Sequence, residues 1–297
     1  MGLLKSAVAR YLGTGPVIPD LDEQLDQIRI NHGVLLGELH EEKESNELRD
    51  YEYKVFSQWG EDGIIQRLIK VVPVESETFI EFGVQDFYES NCRYLLMRNN
   101  WSGFVIDGSA ENMDRLRRSY FYWKYDLSAV DAFVTRENVN ELLAKSGFGE
   151  NLGILSIDID GNDYWVWEAI NTFSPAITIV EYNAGFGADR AATVPYKADF
   201  FRTAEHYSNL YYGASLPALC LLGKRKGYSF VGCNSAGNNA FFIREDLRPR
   251  DLPELTAKEG FVRSKFRESR SEDGTLAFLS KDEEAELLRR LPVVEVS

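Results

Sequence analysis

Glu77-Thr-Phe-Ile-Glu-Phe-Gly-Val-Gln-Asp86 is the stretch of this chain that decides the fold. Phe79 to Phe82 predict a short buried strand, apolar except for Glu81, and Gly83 allows the sharp backbone turn that follows. Ser90-Asn91 then begins a helical run. Strand, glycine turn and helix form the nucleotide-binding half of a doubly wound sheet. The stretch therefore predicts an α/β fold with ligands beyond the carboxyl ends of the strands.

A second strand, Gly103-Phe-Val-Ile-Asp107, follows about one helix later and ends in an acid. Asp107 follows the first strand at close to the sequence spacing of about 20 residues at which an acidic side chain accepts hydrogen bonds from ribose hydroxyls. A strand-ending turn at Asp107-Gly108-Ser109 that binds no ligand is the alternative. The first turn lacks the G-x-G-x-x-G pattern that lets a pyrophosphate approach the backbone closely. The two strands thus favour a nucleoside cofactor without pyrophosphate, which points to S-adenosylmethionine.

Composition and charge exclude several classes of protein. The chain has 297 residues, of which 44% are apolar and 27% charged, and this length allows one large domain or one domain with extensions. The net charge of −14 argues against a general nucleic-acid binder or a protein of anionic membranes, since both need a basic face. Three cysteines without C-x-x-C spacing argue against a zinc site and favour the reducing cytoplasm. No apolar run approaches the about 18 residues of a membrane span.

Residues 1–52 predict a helical extension followed by a charged linker. Asp20 is the expected N-cap of a long helix. Apolar residues and one histidine recur along this helix with four-three spacing, and we call this set the seam: Leu21, Leu25, Ile28, His32, Leu35 and Leu39. Such a heptad pattern indicates either a helix that docks on the main domain or one that forms a homodimer. Residues 53–248 then form the main domain, and residues 249–297 a C-terminal extension that packs on it.

Several short motifs carry a resemblance to a known family. Ser57-Gln-Trp-Gly-Glu-Asp62 precedes the first strand and can fold over the cofactor end of the sheet or serve as an ordinary helix cap. Phe79-Ile-Glu-Phe-Gly83, Asn100-Trp-Ser-Gly103 and Ile106-Asp-Gly-Ser109 follow, and Leu155-Ser-Ile-Asp-Ile-Asp-Gly-Asn-Asp163 comes later. Together these motifs resemble the FkbM-like family of S-adenosylmethionine-dependent methyltransferases, over roughly residues 53 to 245.

The resemblance implies a Rossmann-like class I methyltransferase sheet, mostly parallel and ending in a C-terminal antiparallel hairpin. It also implies S-adenosylmethionine as the cofactor and a role in polysaccharide or secondary-metabolite biosynthesis. Carried over to the matching positions, it implies cofactor contacts from these residues: Gln58, Glu81, Gly83, Gln85, Asn91, Asp107, Gly108, Ser109 and Asp158.

The remaining sheet follows from apolar runs separated by helical segments. Residues 121–125 predict a third strand that ends at Asp126, where a carboxylate would face the adenine of the cofactor. Residues 153–159 and 176–181 predict the fourth and fifth strands, and residues 215–226 a helix. Residues 228–233 and 240–244 predict two strands joined by a turn rich in glycine and asparagine, which is the expected hairpin.

Acidic residues gather at the predicted ends of the fourth and fifth strands. Asp158 and Asp160 are two residues apart, as are Glu181 and Asn183, so each pair leaves one face of its strand. If the strands are neighbours, these oxygens form a site for Mg²⁺, Mn²⁺ or Ca²⁺ rather than zinc. Alternatively, Asp158 or Glu181 acts as a general base or binds the ammonium group of the cofactor, and Asp160 belongs to a helix-capping turn.

These observations predict an O-methyltransferase that acts on a hydroxyl of a small polar acceptor, such as a sugar or a glycosylated intermediate. Asp158, Glu181 and His206 are the candidate catalytic residues, although a lone histidine is more often structural. One alternative is a nucleotide-sugar oxidoreductase on a similar sheet, which the absent glycine pattern opposes. Another is a non-catalytic scaffold that keeps the fold and binds a partner.

Overall fold

The computed structural model describes residues 21–265 and 268–297, so the expected cap Asp20 lies outside the described residues. A seven-stranded sheet with the order β3-β2-β1-β4-β5-β8-β7 forms the centre of the molecule. Its strands are β1 Thr78–Phe82, β2 Ser102–Asp107, β3 Leu127–Asp131, β4 Ile154–Ile157, β5 Ile177–Glu181, β7 Tyr228–Cys233 and β8 Asn239–Arg244. Strands β1 to β5 pair in parallel, whereas β8 is antiparallel to both of its neighbours. The predicted Rossmann-like sheet, mostly parallel with a C-terminal hairpin, is confirmed.

Helices cover both faces of the sheet, which explains why its central strands are continuous apolar runs rather than alternating ones. The helices are α1 Leu21–Glu41, α2 Glu61–Val71, α3 Arg93–Asn99, α4 Ala110–Arg117, α5 Tyr120–Lys124, α6 Val139–Ala144, α7 Asp163–Ala169, α8 Arg202–Glu205, α9 Leu216–Arg225, α10 Ala257–Gly260 and α11 Lys281–Arg289. Phe79 and Ile179 belong to the core on one face, and Phe104 and Trp167 to the core on the other. None of the helices within the described ranges has the length and hydropathy that crossing a bilayer requires.

The prediction of a strand at residues 121–125 is wrong. This aromatic segment forms the short helix α5, because Phe121 is buried against the ring of Phe87 and the guanidinium of Arg93. The third strand begins only at Leu127. Asp126 therefore precedes its strand, and its carboxylate accepts a hydrogen bond of 2.6 Å from Ser102 Oγ at the start of β2. Asp126 thus lies at the amino edge of the sheet, opposite the edge at which a cofactor would bind.

Helix α1 docks on the domain, but not through the seam. Its buried residues are Asp26, Ile30 and Gly33, and a Cβ at Gly33 would lie 2.6 Å from a methyl group of Val55. The apolar seam residues remain exposed, from 43% at Leu25 to 71% at Leu39. Homodimer formation through the seam remains a prediction.

The C-terminal extension packs on the main domain beside the carboxyl edge of the sheet. Helix α11 lies against the 3₁₀ turn Ala184–Phe186, where a Cβ at Gly185 would lie 2.5 Å from Leu288 Cδ1. Strand β9, Val294–Glu295, pairs antiparallel with β6, Ala192–Thr193. The segment at residues 185–197 is therefore held at its middle by the backbone hydrogen bonds of this pairing.

Candidate functional site

A cavity of about 320 Å³ opens at the carboxyl edge of the sheet, beyond β1, β4 and β5. Its lining combines residues from the turn after β1, the ends of β4 and β5, the segment around α8, and the C-terminal extension: Gln58, Gly83, Gln85, Asp158, Asp160, Glu181, Asn183, Gly185, Arg202, Leu210, Tyr212, Ser264, Glu268, Lys281, Glu284 and Leu288. This is the edge at which parallel α/β sheets bind ligands.

The turn after β1 requires glycine. Gly83 has a φ of +73°, which side chains other than glycine rarely adopt, and a Cβ there would lie 1.6 Å from the carbonyl oxygen of Asp158. The first turn and the end of β4 are therefore in direct backbone contact.

Asp158 and Glu181 come together at the inner end of the cavity. Asp158 directly follows β4, Glu181 ends β5, and these strands are paired neighbours in the sheet. One carboxylate oxygen from each, with one from Asp163, lie within 4.8 Å of one another. The parallel topology explains this convergence, since consecutive strand ends meet at the same edge.

These two carboxylates share an environment that disfavours their charges. Burial, followed by the charges of Asp160 and Asp163, raises the pKa of Asp158 well above its usual range. Burial, followed by the charge of Asp158, raises the pKa of Glu181 in the same way. Glu181 is only 7% exposed, and its Oε2 atom has no hydrogen-bond partner among the described residues. Such a pair needs a proton or a cation to be stable.

The other two residues of the predicted metal site do not converge in the same way. Strand β4 ends at Ile157, so Asp160 lies beyond the strand, in a turn where its φ is +54°. There it forms an ion pair of 2.6 Å with Arg202. The Asn183 amide donates to the carbonyls of residues 210 and 212 and accepts from the Gly185 N–H, so it stabilises this turn. Asp163 lies beside the pair instead.

Asp163 is buried at the start of α7 and holds the turn that follows β4. Its carboxylate oxygens accept hydrogen bonds from the Ile159 N–H at 2.8 Å and the Gly161 N–H at 2.9 Å. Burial raises the pKa of Asp163 to about 6, although these hydrogen bonds lower it. The sequence pattern indicated a helix-capping turn that begins at Asp160. The structure has this turn, but the side chain that stabilises it is Asp163.

Arg202 and Tyr212 form the wall of the cavity near the acids. The Arg202 guanidinium carbon lies 4.0 Å from the centroid of the Tyr212 ring, and Arg202 Nε donates to the Asn209 carbonyl at 2.8 Å. Tyr212 is buried, and burial followed by the charge of Glu181 raises its pKa well above the usual value. No motif in the sequence signals Arg202, because its ion-pair partner Asp160 lies 42 residues away in the chain.

Asp107 is buried at the end of β2, close to the turn after β1. Its carboxylate accepts hydrogen bonds from the Gln85 N–H at 2.7 Å and from the Ser109 N–H at 2.8 Å. Gly108 follows, and the half-exposed ring of Phe133 lies beside it, 3.3 Å from where a Cβ would be. Sequence analysis did not identify Phe133, because the third strand was placed too early in the chain.

Two other predicted cofactor ligands use their side chains for hydrogen bonds within the protein. Glu81 accepts hydrogen bonds from Ser90 Oγ at 2.5 Å, from the Asn91 N–H at 2.9 Å and from the Cys92 N–H at 3.1 Å. The Asn91 side chain donates to Ser156 Oγ at 3.1 Å. Both residues are buried, and their hydrogen bonds stabilise the loop between β1 and α3.

His206 is not brought together with the acids. It lines a separate, open cavity of about 780 Å³ with residues such as Tyr207 and Leu287, and its Nδ1 lies 2.8 Å from Ser208 Oγ. The lone histidine thus stabilises a local turn, as lone histidines commonly do.

The C-terminal extension supplies a wall that sequence analysis did not anticipate. Glu284 is 4% exposed and pairs with Lys281 at 2.8 Å, and both line the cavity with Leu288. The only local signal was the capping box at the start of α11, formed by Ser280 and Glu283. A capping box predicts a helix but not the surface on which that helix packs.

Comparison with known protein families and with curated proteins finds no match. Among solved structures, the chain is similar to an O-methyltransferase from Bacillus cereus in complex with SAH, with 11% identity over 80% of this chain and 96% of that chain and a TM-score of 0.39. A SAM-dependent methyltransferase from Clostridium acetobutylicum has 10% identity over 62% of this chain and 89% of that chain, with a TM-score of 0.38. The CurJ carbon methyltransferase has 10% identity over 66% of this chain and 56% of that chain, with a TM-score of 0.39. At such scores the likeness carries no argument about activity.

Proposed function

We propose that this protein is an S-adenosylmethionine-dependent O-methyltransferase. One observation carries the proposal: a single cavity runs from the glycine turn after β1 to a pair of buried carboxylates at the ends of β4 and β5. In an open α/β sheet the first turn is the cofactor side, and the neighbouring strand ends can hold an acceptor.

On the cofactor side, Asp107 is the proposed ligand of the ribose hydroxyls. Its two backbone donors and the Asn112 amide, which donates at 3.4 Å, still leave carboxylate acceptor capacity for a hydroxyl. Gly83, Gln85 and Gln58 would contact the amino-acid part of the cofactor, because they line the cavity next to Asp158. Phe133 would pack on the adenine in place of the role predicted for Asp126.

On the acceptor side, Asp158 and Glu181 would bind and deprotonate a hydroxyl. Bound S-adenosylmethionine would supply the methyl group, whose bond to sulfur would break, with its electrons going to sulfur, as the bond to the acceptor oxygen forms. The hydroxyl proton would pass to one of the two carboxylates. The protein's main contribution is to hold the two reactants in line.

The resemblance to the FkbM-like family favours a sugar or a glycosylated intermediate as the acceptor, in a pathway such as polysaccharide biosynthesis. The polar lining of the inner cavity, with Arg202, Tyr212 and Glu284, suits a small molecule that carries several hydroxyl groups.

Calorimetric titration of the full chain tests the cofactor. We expect S-adenosylhomocysteine to bind and NAD not to bind, and we expect Asp107→Ala to weaken binding by at least ~1.5 kcal/mol through the loss of hydrogen bonds to a charged group. Binding of NAD alone would favour the oxidoreductase alternative. Binding of S-adenosylhomocysteine without methyl transfer to any component of a sugar-rich extract would favour a non-catalytic scaffold.

A further inference from the structure

We infer that Asp158 and Glu181, supported by Asp163, form a binding site for a divalent cation of the Mg²⁺ or Mn²⁺ type. The inference deepens the proposed function, because the ion would lie where the acceptor hydroxyl is expected. It replaces the ligand set that the sequence pattern suggested, in which Asp160 and Asn183 took part.

The first argument is geometric. One carboxylate oxygen from each of the three residues lies within 4.8 Å of the others. An octahedral ion with bonds of about 2.1 Å separates its ligands by about 3 to 4.2 Å, so the three oxygens can reach a common ion with small side-chain rotations. All three ligand atoms are oxygen, which favours Mg²⁺ or Mn²⁺ over zinc.

The second argument concerns the unsatisfied oxygen. Glu181 is more than nine-tenths buried and lines the cavity, yet its Oε2 atom has no hydrogen-bond partner within residues 21–265 and 268–297. A buried carboxylate without a donor or a counter-ion is costly, since its desolvation is not offset. A cation in the cavity would remove that cost.

The third argument is that the nearby arginine is already engaged. Arg202 forms its ion pair with Asp160, donates to the Asn209 carbonyl and stacks on Tyr212. Arg202 therefore neutralises the rim of the cavity and attracts Asp158 and Glu181 only from beyond ion-pair distance, since no ion pair to either occurs among the residues that the structure describes. Asp158 and Glu181 can therefore bind a cation from solution.

The cavity also leaves room for the rest of the coordination shell. Asp158 and Glu181 line the open cavity, while Asp163 is wholly buried, is not one of its lining residues and already accepts two backbone hydrogen bonds. Mg²⁺ usually keeps several waters and takes only a few carboxylates from the protein. The free positions would accept a hydroxyl of the acceptor, whose pKa a bound ion lowers.

Titration of the metal-free full chain with Mn²⁺, followed by calorimetry and by the electron paramagnetic resonance of free Mn²⁺, tests the inference. We expect one site, and we expect Glu181→Gln and Asp158→Asn to weaken it by about 100-fold or more, since loss of a ligand exceeds the 10- to 100-fold effect of a supporting residue. Glu268→Gln is the matched control, because Glu268 lines the same cavity outside the three-residue cluster and pairs with Arg270, and it should change the affinity by no more than about threefold.

The absence of Mn²⁺ binding to the wild-type chain at millimolar concentration would overturn the inference, as would unchanged binding in Glu181→Gln. In that case the two carboxylates share a proton instead. Urea unfolding of the same variants shows whether they are folded, and their S-adenosylhomocysteine affinity is measured separately. If Mn²⁺ binds and S-adenosylhomocysteine does not, the metal site stands and the methyltransferase proposal fails; the reverse result overturns only the metal site.

Discussion

The ion pair between Asp26 and Arg93 holds the N-terminal helix on the domain, and its removal gives a sharp prediction. The Asp26 and Arg93 side chains are only 1% and 0% exposed. Arg93 also donates to the Tyr88 carbonyl at 2.8 Å, and its guanidinium stacks on the rings of Phe56 and Phe121 at 4.2 and 4.4 Å. Asp26→Ala removes the counter-ion and leaves this charge buried.

Breaking a buried pair by removing one partner costs about 3 to 5 kcal/mol. Arg93 keeps its contacts with the Tyr88 carbonyl and the aromatic rings, which partly stabilise its charge. We therefore expect Asp26→Ala to lower the unfolding free energy by about 3 kcal/mol, the lower end of this range. Arg93→Met removes the charge itself, so the double variant should be no less stable than Asp26→Ala alone. The coupling energy between the two sites is expected to be about 2 kcal/mol.

Urea unfolding followed by tryptophan fluorescence measures these free energies, and amide hydrogen exchange across α1 reports whether the helix detaches first. Arg29→Ala is the control, because Arg29 also pairs with Asp26 but its side chain is 48% exposed, and its loss should cost less than about 1 kcal/mol. If Asp26→Ala costs as little as the control, or if the two substitutions are additive, the account of this pair as a buried ion pair is wrong.

Three further predictions concern the turn after β1, the amino edge of the sheet and the first turn of α2. Gly83→Ala should abolish S-adenosylhomocysteine binding, because the new Cβ would lie 1.6 Å from the Asp158 carbonyl oxygen. It should also lower the unfolding free energy by more than the about 1 to 2 kcal/mol that a left-handed backbone conformation costs a residue with a side chain. Normal binding would refute the close approach. Asp126→Ala should leave that binding unchanged, and a weakened affinity in calorimetry would show that Asp126 reaches the cofactor after all. Burial raises the pKa of Asp62 to about 6, so the folded chain holds a proton that the unfolded chain releases, and stability should fall as pH rises from about 4 to about 6. Urea midpoints across this window should fall less in Asp62→Asn than in the wild type, and parallel slopes would contradict the raised pKa.

The sequence predicts the parallel sheet well, because a buried strand has a strong local signal. Runs such as residues 154–157 and 177–181 are apolar throughout, which is the pattern of strands covered on both faces. The convergence of Asp158 and Glu181 then follows from topology alone, since neighbouring parallel strands end at one edge.

The errors arise where local pattern and tertiary packing disagree. The pairing of Asp158 with Asp160 assumed that the strand continued, but the chain turns after Ile157, and the two-residue period has no meaning outside a strand. The aromatic run at residues 121–125 has the composition of a strand, yet contacts with distant side chains make it a helix. Arg202 and Glu284 reach the cavity only through long-range packing, for which a single sequence has no signal.

The contact between Gly83 and the Asp158 carbonyl limits how this pocket can be redesigned. No layer of side chains separates the two loops, so neither can be shifted outward without moving the other. Enlarging the pocket for a bulkier acceptor would therefore have to start from lining side chains outside these two loops. Truncation of Leu288, or of Tyr212 together with its stacked arginine, opens space there and leaves the backbone of both strand ends in place.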